Sequence, residues 1–228
     1  MSSTLPRLLL AGLLVATSAG WAAAQTTPAP ESKEAAYTRT ITERATKIVD
    51  KLGPLEAKKA TQVRDIIADQ YRQLNQVHEQ RKTQLATLKA QPKTPATEAE
   101  IKQLDAQTDQ ALAKLHTKYL RRLGQKLSVA QVEQVKDGMT YGVLPITVRA
   151  YQDMLPDLTQ EQKTQILAWL TEAREKAMDA GTSEQKHAWF GKYKGKINNY
   201  LSAAGIDMNQ AGKDWQARLA REKAEAGK

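Results

Sequence analysis

The sequence has no cysteine and a single phenylalanine. Without thiols it has no disulfide framework, no cysteine nucleophile and no thiolate metal site. Histidine is scarce as well: His78, His116 and His187 are the only three. None has a second histidine or a cysteine at ligand spacing, so no metal and no cofactor is expected. There is no glycine-rich phosphate loop and no serine nucleophile elbow. No run of residues alternates apolar and polar as a half-buried strand would. No segment after the N-terminal one is apolar over a length that spans a bilayer, so no membrane span is expected there.

The chain has 228 residues and a formal net charge of +9. Its first 24 residues read as a secretory signal peptide. Arg7 supplies the positive start, Leu8 to Ala16 the short apolar run, and Ala22-Ala23-Ala24 the small-residue cleavage site. An exported protein, periplasmic or secreted, is therefore expected. Residues 25–36 are rich in Thr, Pro, Ala and Glu without periodicity and read as a flexible leader. The charge is uneven: residues 25–126 hold 19 Lys/Arg against 12 Asp/Glu, while residues 127–228 hold 14 against 13. A basic exported chain can meet acidic polysaccharide, lipid headgroups or nucleic acid, or simply keep a solvated surface. No nucleic-acid module is recognisable, and nucleic acid is not an expected partner.

The elements follow from helical spacing and stop signals. Ile41, Ala45, Ile48 and Leu52 share one stripe of a first helix, expected from about Tyr37 to Lys51 and stopped by Gly53-Pro54. A long second helix runs from near Leu55 to Ala90 on a seam of Val63, Ile67, Gln70, Leu74 and Val77. Pro92 and Pro95 turn the chain, and Thr97 to Glu100 reads as a capping box opening a third helix. Two long helices joined by a short loop pack as an antiparallel hairpin. Beyond it, Ser128/Gln131, Thr159/Gln162 and Thr182/Gln185 are three further capping pairs. Tyr141-Gly142 reads as an irregular, buried connection, with Pro145 opening the next helix. Eight aromatics lie after residue 126. Because aromatics bury large areas, the tight packing is expected in residues 127–226. The expected fold is all-α: a long N-terminal helical hairpin, residues 37–126, plus a compact C-terminal helical bundle, residues 127–226, continuous with it.

The densest chemistry lies from Lys186 to Leu201. Trp189, Tyr193, Ile197 and Tyr200 recur at helical spacing and read as a buried stripe. Gly191 and Gly195 cost about 1 kcal/mol each inside a helix relative to alanine. Either a closely packed neighbour or a ligand at bare backbone is expected beside them. Tyr141, His187, Lys192, Lys194, Lys196, Asn198 and Asn199 are the candidate ligand-binding residues. Lysines can meet carboxylates and asparagines can bond sugar hydroxyls, although a lysine over Trp189 or Tyr193 is a structural alternative. Acid pairs at helical spacing, Asp153/Asp157 and Glu133/Asp137, are commonplace, and no catalytic residue is assigned. His78 and His116 sit on the proposed hairpin and are expected to face each other across it.

Four strings together resemble a known family. They are Lys136-Asp137-Gly138-Met139-Thr140-Tyr141-Gly142-Val143-Leu144-Pro145, the Leu158-Thr159 and Glu161-Gln162 pairs, Ala173 to Gly181, and Lys186 to Leu201. They are similar to the domain of unknown function 3826, a bacterial exported family. The resemblance implies a link to carbohydrate breakdown and carries no catalytic role. The doubled Leu-Ser/Thr-x-x-Gln pattern is also similar to Spy/CpxP-type periplasmic chaperones, a pattern that capping boxes produce in any helical protein. The leading expectation is a non-enzymatic exported helical protein that binds acidic polysaccharide or oligosaccharide, or assists enzymes acting on it. The alternatives are a chaperone-like protein with partner proteins, and an enzyme on uronate glycans using Tyr141, His187 and a lysine.

Overall fold

In the computed structural model, residues 31–226 are described, and they contain eight helices and no strand. The expected signal peptide lies outside the described residues, as does the first half of the expected leader. Helix α1 spans Lys33–Val49, α2 Ala57–Lys89, α3 Pro95–Gly124 and α4 Val129–Met139. Helix α5 spans Val143–Met154, α6 Gln160–Met178, α7 Ser183–Ala203 and α8 Met208–Ala226. The fold is all-α. No helix among the described residues is long and apolar enough to cross a membrane.

Local chemistry sets the helix ends. Helix α1 starts at Lys33, inside the segment expected to be a flexible leader. Gly53 adopts a left-handed backbone (φ 79°) just after α1, where a side chain would be strained. Helix α2 is capped by the Glu56 carboxylate, which accepts from the Lys58 and Lys59 amides at 2.9 and 3.1 Å. Helix α3 begins earlier than expected. Thr94 is its N-cap, Pro95 sits in the first turn, and Thr97 spends its hydroxyl on the Pro92 carbonyl. Ser128 and Thr159 form reciprocal capping boxes with Gln131 and Gln162. At α7 the box is half-made: Thr182 caps the Gln185 amide, but the Gln185 side chain accepts from Gly181 instead.

Helices α2 and α3 pair antiparallel, with Asp69 meeting Arg122 near one end and Arg81 meeting Asp105 near the other. The described residues from 33 onward form one compact unit, and its buried side chains divide into two clusters. The first cluster joins α1, the inner half of α2, the end of α3 and α4, with Ile41, Val63, Ile67, Tyr119, Leu123 and Met139 almost fully buried. The second joins α5, α6 and α7 through Tyr151, Leu170, Phe190, Ile197 and Leu201. Tight packing therefore is not confined to residues 127–226. Helix α4 joins the first cluster by packing on α1, and Gly138 explains how closely. A Cβ there would stand 2.9 Å from Ile48 Cγ1, so only glycine admits that approach. Gln131 adds a bond from its amide to the Leu52 carbonyl.

The chain passes from one core to the other at Tyr141-Gly142. Both residues have left-handed backbones, φ 60° and 67°. The Gly142 amide reaches back to the Asp137 carbonyl at 2.8 Å, which closes α4 by a Schellman-type turn. Tyrosine occupies the position where such turns usually place glycine. The expected irregular connection is there, but it is not buried: Tyr141 is 50% exposed. Helix α5 starts at Val143, so Pro145 sits one turn inside it, where a missing amide hydrogen is still harmless.

Candidate functional site

A cleft of about 310 Å³ opens where α1, α2, the α4–α5 turn and the α6–α7 turn meet. Helix α1 contributes Arg44 and Lys47, and the turn just after it contributes Lys51. Helix α7 contributes Lys186, and Thr182 and Ser183 bring the start of that helix to the rim. Three tyrosines complete the wall: Tyr37, Tyr71 and Tyr141. None of the lining residues is acidic. Four cations without a carboxylate among them raise the local potential for anions, and the positive end of the α7 dipole adds to it.

Each wall residue is held by its own contacts. Tyr37 donates its hydroxyl to the Tyr71 carbonyl at 3.0 Å, which ties α1 to α2. Burial pushes the Tyr71 phenol up to about 12, so it remains a proton donor at neutral pH. Tyr141 stacks on the His187 ring, centroids 5.4 Å apart and planes 11° from parallel. That contact fixes a half-exposed aromatic ring on a left-handed backbone, a costly conformation of the kind that clusters at functional sites. Lys186 is 6% exposed. Its ammonium donates to the carbonyls of Ala177 and Met178 at 2.8 and 3.1 Å, at the C-terminal end of α6. Burial lowers its pKa to about 8; Asp179 pulls the other way and Arg44 adds to the lowering.

A second, larger cleft of about 920 Å³ lies between the hairpin and the α6–α7 pair. Its wall is mixed in charge, with Arg81, Lys176 and Lys192 beside Asp105, Asp109 and Asp179. Ala180 borders both clefts. Between them the His78 ring presses on Gly181, where a Cβ would stand 2.8 Å from the ring.

Behind the clefts is a buried ion network. Arg174, 3% exposed, pairs with Asp137, Glu133 and Glu175. Lys136 bridges Glu133 and Glu175 at 2.9 and 3.2 Å. The Nδ1 atom of His116 lies 2.9 Å from Asp179 without hydrogen-bond geometry, and its Nε2 lies 3.3 Å from Glu175. The two carboxylates, Asp179 foremost, outweigh burial and raise the His116 pKa to about 9. Burial alone would raise Glu175, but His116 and Lys136 overcome it and bring Glu175 down to about 2. The expected acid pair Glu133/Asp137 is thus committed to Arg174. His78 and His116 are each held by other partners. Both turn to the end of α6: His78 Nε2 lies 2.8 Å from the Asp179 carbonyl.

The candidate residues read from the sequence fall in three places. Tyr141 and His187 come together at the rim of the basic cleft. Lys192 lines the larger cleft and sits over the Trp189 ring at 5.2 Å. Lys196 sits over Trp169 at 4.5 Å and over Tyr193 at 5.9 Å. Asn198 accepts from the Tyr151 hydroxyl at 2.6 Å, which ties α7 to α5, while Lys194 and Asn199 are exposed on α7. The buried stripe of α7 is Lys186, Phe190, Tyr193, Ile197 and Leu201, so Trp189 and Tyr200 flank it rather than centre it. Gly191 and Gly195 face open space: nothing lies within 4 Å of a Cβ built at either, so no packed neighbour offsets their cost. Sequence reasoning missed Arg44, Lys47, Lys51 and Lys186. The first three carried a signal, a run of basic residues at the end of α1 and in the turn after it, but only the tertiary fold sets that run opposite Tyr141.

An all-helical protein with a basic, tyrosine-walled cleft is the class these features define. The chain belongs to the family described as Protein of unknown function (DUF3826), whose model matches residues 38–221. No curated protein matches the chain.

Proposed function

We propose that this is an exported, non-enzymatic helical protein that binds acidic polysaccharide or oligosaccharide and serves its processing. The observation that carries the reading is the cleft in which Arg44, Lys47, Lys51 and Lys186 face three tyrosines with no acid among the lining residues. Arginine and lysine pair with carboxylates, and tyrosine offers both a ring for the apolar face of a sugar and a hydroxyl for its edges. A volume of about 310 Å³ is at the lower end of small-ligand pockets, which suits a short stretch of sugar. The strained Tyr141 supports a working surface here, since strain persists where something depends on it. Export rests on the N-terminal segment alone, and N-terminal sequencing of the protein from the periplasm or medium tests it.

The test of binding is a glycan array probed with the chain from residue 25 onward. Uronate oligosaccharides should bind, neutral ones should not, and binding should weaken as salt is raised. R44A should lower uronate affinity at least tenfold, and the double variant K47A/K51A should flatten the salt dependence. Equal binding of neutral and acidic glycans, or none at all, rejects the reading. A second reading, an enzyme on uronate glycans, draws on Lys186 and the Tyr141–His187 stack at the same cleft. It requires product from uronate oligosaccharides that is lost in H187A.

A further inference from the structure

We propose that Lys186 is the deep anion ligand of the basic cleft, and that an acidic sugar docks by bringing its charged group onto the third ammonium position. The inference rests on the binding reading above and names the residue and the proton that go with it. A lysine ammonium has three donors. Two are spent on the Ala177 and Met178 carbonyls, at 2.8 and 3.1 Å. Those two bonds fix the head group, so the remaining position is held rather than free to rotate. Lys186 is 6% exposed and is among the residues that line the cleft. A preorganised donor in a partly desolvated site makes a stronger contact with an anion than a solvated surface lysine does.

The groups facing Lys186 from the elements around it explain why the contact is proton-linked. Tyr37, Arg44 and Lys47 come from α1, Lys51 from the turn after it, Tyr71 from α2, Tyr141 from the α4–α5 turn, and Asp179 from the end of α6. Burial disfavours the ammonium most, Arg44 adds to that, and Asp179 opposes both, leaving the pKa at about 8. A carboxylate or sulfate ester placed on the third position favours the ammonium. Above pH 8 the anion must then bring a proton with it, and affinity falls by about tenfold per pH unit. Below pH 7 the amine is already protonated and affinity is flat in pH.

The fold also explains why this lysine and not its neighbours on α7. Lys192, Lys194 and Lys196 are exposed, and Lys192 and Lys196 lie over aromatic rings. Lys186 alone of the four lies on the buried stripe of α7.

Isothermal titration of the chain from residue 25 onward with galacturonate oligosaccharide, a sulfated oligosaccharide and a neutral one tests this. Each titration is run at pH 6.5 and 8.5, in two buffers of different ionisation enthalpy. Either acidic ligand should take up close to one half to one proton at pH 8.5 and almost none at pH 6.5. K186R carries its charge throughout and should bind without proton uptake at either pH. K186M should lose at least tenfold in affinity at pH 6.5. If K186M fails to fold, the wild-type proton uptake and K186R still decide. Acidic ligands that bind with no proton uptake at pH 8.5, or with the same uptake in K186R, overturn the role of Lys186 and leave the binding reading standing. Failure of every acidic ligand to bind at pH 6.5 overturns both.

Discussion

Tyr141 carries the most information of any single residue. A tyrosine in the left-handed region costs about 1–2 kcal/mol, which glycine avoids. The neighbouring Gly142 shows that glycine was available to this turn. Its stacking on His187 offsets part of the cost. Replacing Tyr141 by alanine removes the ring and keeps the strain; replacing it by glycine removes both. Y141G should therefore be more stable than Y141A by about 1 kcal/mol in urea denaturation. Both should lose affinity for acidic sugar equally, because the ring is what the ligand meets. The helical glycines of α7 make the opposite case. Gly191 and Gly195 have open space around a built Cβ, so each change to alanine should raise stability by about 1 kcal/mol. G138A should lower it by about 1–3 kcal/mol, because its methyl would overlap Ile48. Urea midpoints of the three variants measure the contrast.

At the scale of elements, the sequence was most legible where a local rule fixes the outcome. The Ser128/Gln131 and Thr159/Gln162 boxes are short-range motifs, and both helices start where those motifs place them. Glu56 and Thr94 were not read as caps. Glutamate is an unusual N-cap, and Thr94-Pro95 looked like turn rather than helix start. The middle of the α7 stripe, Tyr193 and Ile197, is buried as expected, and its ends were misplaced onto Trp189 and Tyr200. Trp189 is larger than Phe190, but Phe190 is the one that faces α5 and α6. Periodicity gives the spacing of a face and leaves its rotation to the partner helices. The ion network between α3, α4 and α6 was illegible for the same reason, since its members are distant in sequence. It gives a pH dependence. His116 has its pKa raised from 6.5 to about 9, so the folded state binds its proton more tightly than the unfolded chain does. That stability is fully present below pH 6.5 and is lost as pH rises to about 9. Glu175 is lowered from 4.5 to about 2, so its contribution is present above pH 4.5 and is lost as pH falls towards 2. Thermal melts of wild type should decline between pH 6.5 and 8, above which the lowered pKa of Lys186 adds an opposing rise, and H116Q should flatten the decline.

On the scale of the whole molecule, the two cores are joined through polar contacts rather than by one continuous apolar interior. Helix α4 packs into the first core, α6 into the second, and Arg174 of α6 reaches Glu133 and Asp137 of α4. Met178 at the end of α6 is the apolar residue that crosses into the first cluster. The basic cleft straddles this junction: α1 and α2 come from the first core, and Lys186 comes from α7 of the second. Cleft geometry therefore depends on how firmly the cores hold together. Arg174 is nearly fully buried, and removing it takes the paired cation from Asp137 and leaves Glu133 with Lys136. R174M should lower stability by about 1–3 kcal/mol, because Glu133 and Asp137 keep access to water and Lys136 stays on Glu133. It should also loosen the coupling between cores. Trp169 and Trp189 pack on the second core, so their fluorescence reports that core, while circular dichroism at helix wavelengths reports all helices. In wild type the two urea transitions should coincide, as two-state unfolding requires. In R174M they should separate, with acidic-sugar affinity falling even though no residue of the cleft has been changed. Coincident transitions in R174M would mean that the cores are held as one body by the apolar contacts around Met178, and that the ion network is an accessory to them.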